Sequence, residues 1–239
     1  AGLVPRTMKA MILAAGLGTR LRPLTATLPK PLLPLAGKPM IVYHVETLAA
    51  AGVTELVINV SWLGALIEQH LRDGAALGVN IRYSREPEGP LDTGGGIRRA
   101  LPLLGEQPFL LVAGDIWSDY PLARLAGRTL GAGELGRLVL VPNPPQHSGG
   151  DFSLDEAGRV GTAAAGRRCT YSGISLLSPR LLDGWNDTVF PLREPLRQAA
   201  GRGALSGEIW AGDWEDVGTP ERLAELNRRL QQRRESGPA

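Results

Sequence analysis

The sequence predicts an α/β fold: a mostly parallel central sheet covered by helices on both faces, three layers in all, with a small antiparallel lobe carried on the same sheet. Three observations predict it. Short β-branched, wholly apolar runs alternate with segments of helical spacing through the first half. The apolar runs lack the in–out alternation of a half-exposed sheet, which is the mark of strands buried on both faces. After about residue 136 strand-like runs follow one another directly, as in antiparallel hairpins.

The elements follow in order. "MKAMILAAG" is an apolar run closed by glycine, a strand. "PMIVYHVETLAAAG" places Ile41, Val45 and Leu48 at helical spacing and stops at Gly52. "ELVINV" (55–60) reads as a buried strand, "ALIEQHLRDG" (65–74) as a helix, and "VNIRYS" (79–84) as an alternating strand. "GGIRRALPLL" (95–104) is a short helix despite Pro102, and "FLLVAGD" (109–115) a further apolar strand. Beyond it, "RLVLVPN" (137–143) is a strand, "DFSLDEAGRV" (151–160) a hairpin turning at Asp155–Gly158, and "CTYSGISLL" (169–177) a strand. "GEIWAGDWEDVG" (207–218) reads as one strand, and "TVFPLREPLRQAAG" and "TPERLAELNRRLQQ" as helices. Thr219 is the expected N-cap before Pro220.

Composition bounds the function. The chain has 239 residues, 43% hydrophobic, enough for one sizeable core. With 26 basic and 24 acidic residues it offers no broad electrostatic footprint for nucleic acid. The single cysteine, Cys169, cannot form an internal disulfide, which fits a reducing cytosol. No apolar run is long enough to span a bilayer, so no membrane is expected, and no obligate protein partner is evident. "LVPR" resembles an engineered protease site; residues 1–7 read as a tag remnant and Met8 as the native start. The expected organisation is one domain over 8–232: an α/β part (8–135), a smaller lobe with return strands (136–218), a C-terminal helix (219–232), and a tail (233–239).

The most informative stretch is "LAAGLGTRLRPLTATLPKPLLPLAGKPM", Leu13–Met40. It follows the first strand, at the sheet edge where α/β proteins bind ligands. Gly16 and Gly18 let the backbone turn and aim N–H groups at an anion. Arg20 and Arg22 offer forked bonds to phosphate. A dinucleotide fingerprint is excluded because its third glycine position holds Leu21, and a P-loop because "GKP" lacks the Ser or Thr. Prolines 29, 31 and 34 restrict the segment around Lys30, one of only three lysines, with Lys9 and Lys38. Two aspartates, Asp115 after "FLLVAG" and Asp216 in "WEDVGTP", end apolar stretches; on residues alone each is equally a cap or a ligand. His44, His70, His147 and Cys169 show no zinc-like spacing.

The pattern "LAAGLGTRLRPLT…PKPLLPLAGKPM" resembles the signature of the sugar-1-phosphate nucleotidyltransferases, which make NDP-sugars from an NTP. The resemblance implies a Rossmann-like three-layer fold. It implies triphosphate binding by Ala14, Ala15, Gly16, Gly18, Thr19 and Arg20, catalysis by Arg20 and Lys30, and a mainly structural Lys38. It implies Mg²⁺ on Asp115 and Asp216; two carboxylates, with phosphate and water, suit that ion. In "SREPEGPLDTGGG" (84–96) it implies base reading by Glu86 or Glu88 with Thr93 and Gly94, although Asp92 replaces the usual glycine and "TGG" the usual "TAG". Gly114, Asn143, Asp151 and Ser172 match sugar-contacting positions. The family's "E-K-P" lysine is missing, and Arg167 or Arg168 is left to replace it. "GDFSLDEAGRV", "CTYSGISLLSP" and "WEDVGTPERL" resemble the short members that use UTP on a cell-wall sugar 1-phosphate and lack a hexapeptide-repeat module. A lactyl carboxylate on that sugar would need Arg167, Arg168 or Arg202. The alternatives are dTTP or GTP with a glucose or mannose phosphate, and a non-catalytic sensor on the same fold.

Overall fold

The computed structural model describes residues 8–87, 89–163 and 167–235. The strands are β1 (Lys9–Leu13), β2 (Pro34–Leu35), β3 (Lys38–Pro39), β4 (Glu55–Val60), β5 (Asn80–Arg85), β6 (Phe109–Ala113), β7 (Ile116–Ser118), β8 (Gly136–Val141), β9 (Phe152–Leu154), β10 (Val160–Gly161), β11 (Arg167–Leu177), β12 (Leu205–Ile209) and β13 (Trp214–Asp216). The helices are α1 (Met40–Ala50), α2 (Gly64–Leu71), α3 (Asp92–Leu104), α4 (Arg193–Gly201) and α5 (Pro220–Glu235).

The main sheet runs β10-β9-β11-β6-β1-β4-β5, with β8 beside β11 and β12 beside β8. Strands β6, β1, β4 and β5 are mutually parallel, as is the β8–β12 pair. The long β11 is antiparallel to β6, β8 and β9 and carries the smaller lobe as a continuation of the sheet. Alternation along β1 sorts its residues between two cores. Ala10 and Ile12 pack with Ile41, Val45 and Leu48 of α1 and Ile67 of α2. Met11 packs on the opposite face with Ile97 of α3 and Leu196 of α4. A third cluster joins Leu223, Leu226 and Leu230 of α5 to Leu21, Leu33 and Leu35, which follow β1, and to Met40 at the start of α1. Thus the last helix packs against the most informative loop of the sequence.

Three expectations change. The segment read as one strand over 207–218 turns at 211–212 and gives two: β12, parallel to β8, and β13, antiparallel to the unforeseen β7. The helix expected from Thr188 begins at Arg193, because Phe190, ahead of Pro191, is disfavoured in the helical region and its carbonyl accepts from Gly94 and Gly95. Those bonds satisfy the orphan N–H groups of α3, a helix with three consecutive glycines and an internal proline. The C-terminal helix runs to Glu235, where Arg233 pairs with Asp213 and Arg234 donates to the Ala36 carbonyl. Thr219 does cap it, accepting from Arg222 N–H at 3.4 Å.

At the site edge the backbone contact of β1 with β6 continues past Ala113. Gly114 N–H donates to Leu13 O at 2.8 Å, and a Cβ on Gly114 would lie 2.3 Å from that oxygen. Backbone cannot swing aside as a side chain does. Gly114→Ala is therefore expected to lose about 1–3 kcal/mol of stability, seen as a lower urea midpoint; an unchanged midpoint would show that the two strands part freely.

Candidate active site

The loop after β1 is anchored by buried polar groups. Ala14 N–H donates to Asn59 Oδ1 at 2.8 Å, and Asn59 Nδ2 donates to Glu86 Oε1 at 2.8 Å. Glu86 Oε2 accepts from Leu91 N–H at 2.8 Å, so both oxygens of this buried carboxylate already have protein partners. One chain of bonds thus links the ends of β1, β4 and β5. Gly18 takes φ +63°, a region open to glycine, and its carbonyl accepts from the buried Thr25 hydroxyl at 2.7 Å. A Cβ on Gly18 would press on Thr25 and on Lys30 Cβ. Lys30 stands in a short turn, Lys30–Leu32, between two prolines. It is buried, and its Nζ donates to Asp115 Oδ2 at 3.1 Å.

Asp115 and Asp216 meet through backbone pairing. In the β7–β13 ribbon Asp216 stands opposite Ile116, and Val217 N–H donates to Asp115 O at 3.0 Å. Asp216 Oδ2 accepts from Arg222 Nη1 at 2.8 Å. Each carboxylate therefore has one oxygen held by a cation, and no protein hydrogen bond is recorded for the other among the described residues. Two neighbouring carboxylates, each with an oxygen to give, fit an oxygen-seeking divalent ion that completes its shell with phosphate and water. Among the described residues no cluster of three or more His, Cys, Asp or Glu suits a metal.

Two cavities join here. One, about 600 Å³, is lined by residues 13–21, Lys30, Asn59, Glu86, Thr93 and Asp115, among others. The other, about 350 Å³, is lined by Gln146, His147, Asp151, Tyr171, Ser172 and Arg193, among others, with Asp216 at its edge. Arg20, Thr93 and Asp115 line both. Gly94 lies beneath, against Phe190.

The expected sugar contacts divide. Asp151 lines the second cavity, with Oδ1 facing His147 Nε2 at 3.0 Å and Oδ2 accepting from Tyr171 N–H. Ser172 lines it too, but its hydroxyl donates to Val139 O. Gly114 lines the first cavity instead. Asn143 lies outside both linings; its amide donates to Ser148 O and accepts from Thr170. Arg168 straps the Gly149 and Gly150 carbonyls at 2.7 and 2.9 Å, and neither it nor Arg167 or Arg202 lines the cavity. Arg193 does. Lys38 pairs with Glu46 and lies 4.7 Å from the Tyr43 ring, a structural placement. Glu88 lies outside the described residues.

Residues 9–162 match the nucleotidyl transferase family model. The chain is 49% identical over 222 residues to the N-acetylmuramate alpha-1-phosphate uridylyltransferase of Neisseria meningitidis serogroup B, covering 91% of this chain and 96% of that protein. The chain belongs to the nucleotidyl transferase family. It is also 36% identical to the mannose-1-phosphate guanyltransferase of Yarrowia lipolytica, spanning 90% of this chain but only 61% of that longer protein. The fold matches the crystal structure of HddC from Yersinia pseudotuberculosis complexed with GMP-PN, at a TM-score of 0.76, 22% identity, and coverage of 93% and 99%.

Two departures from the nucleotidyltransferase pattern have a local physical reason. Asp92 stands at φ +59°, where the usual glycine is at ease; its carboxylate accepts from Thr93 N–H at 2.6 Å, the local bond that lets aspartate tolerate this region. Gly94 stands where the usual alanine would put a Cβ 2.4 Å from the Phe190 ring. Thr93 Oγ1 accepts from Leu192 N–H at 2.7 Å, tying the start of α3 to the approach of α4.

His44 of α1 is buried behind Asp115, with its Nε2 unpartnered. Burial lowers its pKa to about 4, against the pull of Asp115 and the Ile116 backbone. A base depressed in the folded state is protonated first in the unfolded one. Its stabilising effect is present above about pH 6.5 and is lost as pH falls toward 4. The expected loss is about 3 kcal/mol across that window. Urea denaturation at neutral and acid pH should show a steeper loss for the native chain than for His44→Gln; parallel losses would contradict it.

Proposed function

We propose that the protein transfers a uridylyl group from UTP to N-acetylmuramate α-1-phosphate, giving the UDP-sugar and pyrophosphate, in cytoplasmic recycling of bacterial cell-wall sugar. The observation that carries this reading is the junction of the two cavities at Arg20 and Asp115, beside Lys30. UTP would lie in the larger cavity, its triphosphate along residues 14–20 and its base toward Glu86, Thr93 and Gly94. The sugar phosphate would lie in the smaller one.

In the reaction an oxygen of the sugar 1-phosphate attacks the α-phosphorus in line. The new P–O bond forms as the bond to the β-phosphate breaks, and pyrophosphate leaves with the electron pair. The nucleophile is already an anion, so no general base is required. The difficulty is bringing anions together. Lys30 lies where both the α-phosphate and the sugar phosphate must approach, and Arg20 faces the leaving diphosphate; fixed charges of this kind stabilise a transition state without reorganising. A magnesium ion held by Asp115 and Asp216 would supply further neutralisation of the phosphate oxygens. The closed turn around Lys30 holds its ammonium before substrate arrives.

The muramate substrate carries a lactyl carboxylate, and Arg193 is the cation for it. Arg193 reaches the wall of the smaller cavity from the start of α4, and its own ion pair, to Glu194 at 3.5 Å, is exposed and weak. The likeness to a mannose-1-phosphate guanyltransferase supports GTP with mannose phosphate as the second reading. A non-catalytic sensor is disfavoured by the retention of Lys30, Asp115 and Asp216 together.

Pyrophosphate release with each NTP against a panel of sugar 1-phosphates tests the assignment. UTP with the muramate phosphate should lead; GTP with mannose phosphate leading would overturn it. Lys30→Ala should remain folded and lose roughly 10²–10³-fold in turnover, and native-like turnover would remove Lys30 from the reaction. Arg193→Ala should raise KM for the muramate phosphate about tenfold, one lost charge-assisted contact, and leave KM for N-acetylglucosamine 1-phosphate unchanged. Equal effects on both sugars would contradict the lactyl contact.

A further inference from the structure

Arg222 occupies an unusual place. It stands in the first turn of α5, where the helix dipole disfavours a cation. Its guanidinium reaches back to Asp216 Oδ2 at 2.8 Å, with both side chains partly buried. Arg20 approaches the same spot, on the same side of Gly218. A Cβ added there would lie 2.5 Å from Arg222 Nη2 and 3.1 Å from Arg20 Nη1. Across the junction, Lys30 holds Asp115 at 3.1 Å. Both carboxylates therefore carry an internal counter-ion. Together with Arg20, three cations face two carboxylates, an excess suited to an arriving polyanion.

We propose that Arg222 is a positioning residue that competes with divalent metal for Asp216, so that metal enters the site together with nucleotide rather than before it. The inference rests on reading Asp115 and Asp216 as the metal ligands. Without nucleotide, a divalent ion must take the open oxygen of each carboxylate against the repulsion of the cation that holds the other oxygen. With nucleotide, the phosphates offer Lys30, Arg20 and Arg222 new anionic partners, and the carboxylates are released. The competition concerns charge and contact only; no proton moves.

The test is titration of the intact, nucleotide-free protein with Mn²⁺, followed by the loss of the free-ion paramagnetic resonance signal. The native protein should bind weakly. Arg222→Ala should bind about tenfold or more tightly, since a unit charge a few ångströms from a partly buried divalent site is worth well over one kT. Arg222→Lys, which keeps the charge, should stay near the native value. A merely structural role at the start of α5 would lower thermal stability and leave Mn²⁺ affinity unraised. Equal or weaker Mn²⁺ binding by a natively folded Arg222→Ala would overturn the proposal, as would tight binding by the nucleotide-free native protein. Asp216→Asn separates this from the underlying reading: if the tight binding of Arg222→Ala survives in Arg222→Ala/Asp216→Asn, Asp216 is not the ligand.

Discussion

The antiparallel pairing of β7 with β13 is the constraint on which the candidate site depends. It sets Asp216 opposite Ile116 and joins Val217 to the Asp115 carbonyl. Two acids from distant parts of the chain become neighbours through backbone bonds alone. Like charges so placed repel, and the fold answers with a cation on each: Lys30 from the loop after β1, and Arg222 from α5. The proline-bounded turn, the C-terminal helix and the ribbon are thus parts of one electrostatic arrangement. Behind it, the neutral His44 fills space without adding charge.

The wall of the larger cavity is built on a different principle. Asn59 and Glu86 are buried and linked, and they hold backbone N–H groups of Ala14 and Leu91. A buried polar pair of this kind is stable only when its partners are all present. The ends of β1, β4 and β5 are held as a set, which makes the edge of the sheet a fixed platform. The tight contact of Gly114 with Leu13 extends that platform to β6.

Much of this was legible in the sequence, and the reasons are local. Apolar runs such as "ELVINV" declare buried strands, and its bounds match the structure. The glycines, Arg20, Lys30 and the two aspartates stand in a pattern dense enough to mark a family. Asn59 was hidden because it reads as one polar residue inside a strand, and its importance exists only once Ala14 and Glu86 are beside it. Arg222 was hidden by the helix pattern that contains it. Arg193 is hidden because the sequence pattern predicts a helix from 188, which puts that arginine inside the helix, whereas α4 begins at Arg193. The division of 207–218 into β12 and β13 depended on a partner, β7, that has only three residues. Pairing across sheets leaves little periodic trace in so short a strand.

The junction between α5 and the loop after β1 bears on how the molecule is made. Asn227 accepts from Ala36 N–H, Arg234 donates to the Ala36 carbonyl, and three leucines of α5 pack beneath. The helix follows every strand of the sheet in the chain. During synthesis, which proceeds from the N-terminus, the sheet can form while this loop still lacks its support. A nascent chain at that stage would have its sheet in place while the segment around Ala36 still lacked the packing and hydrogen bonds that α5 gives it.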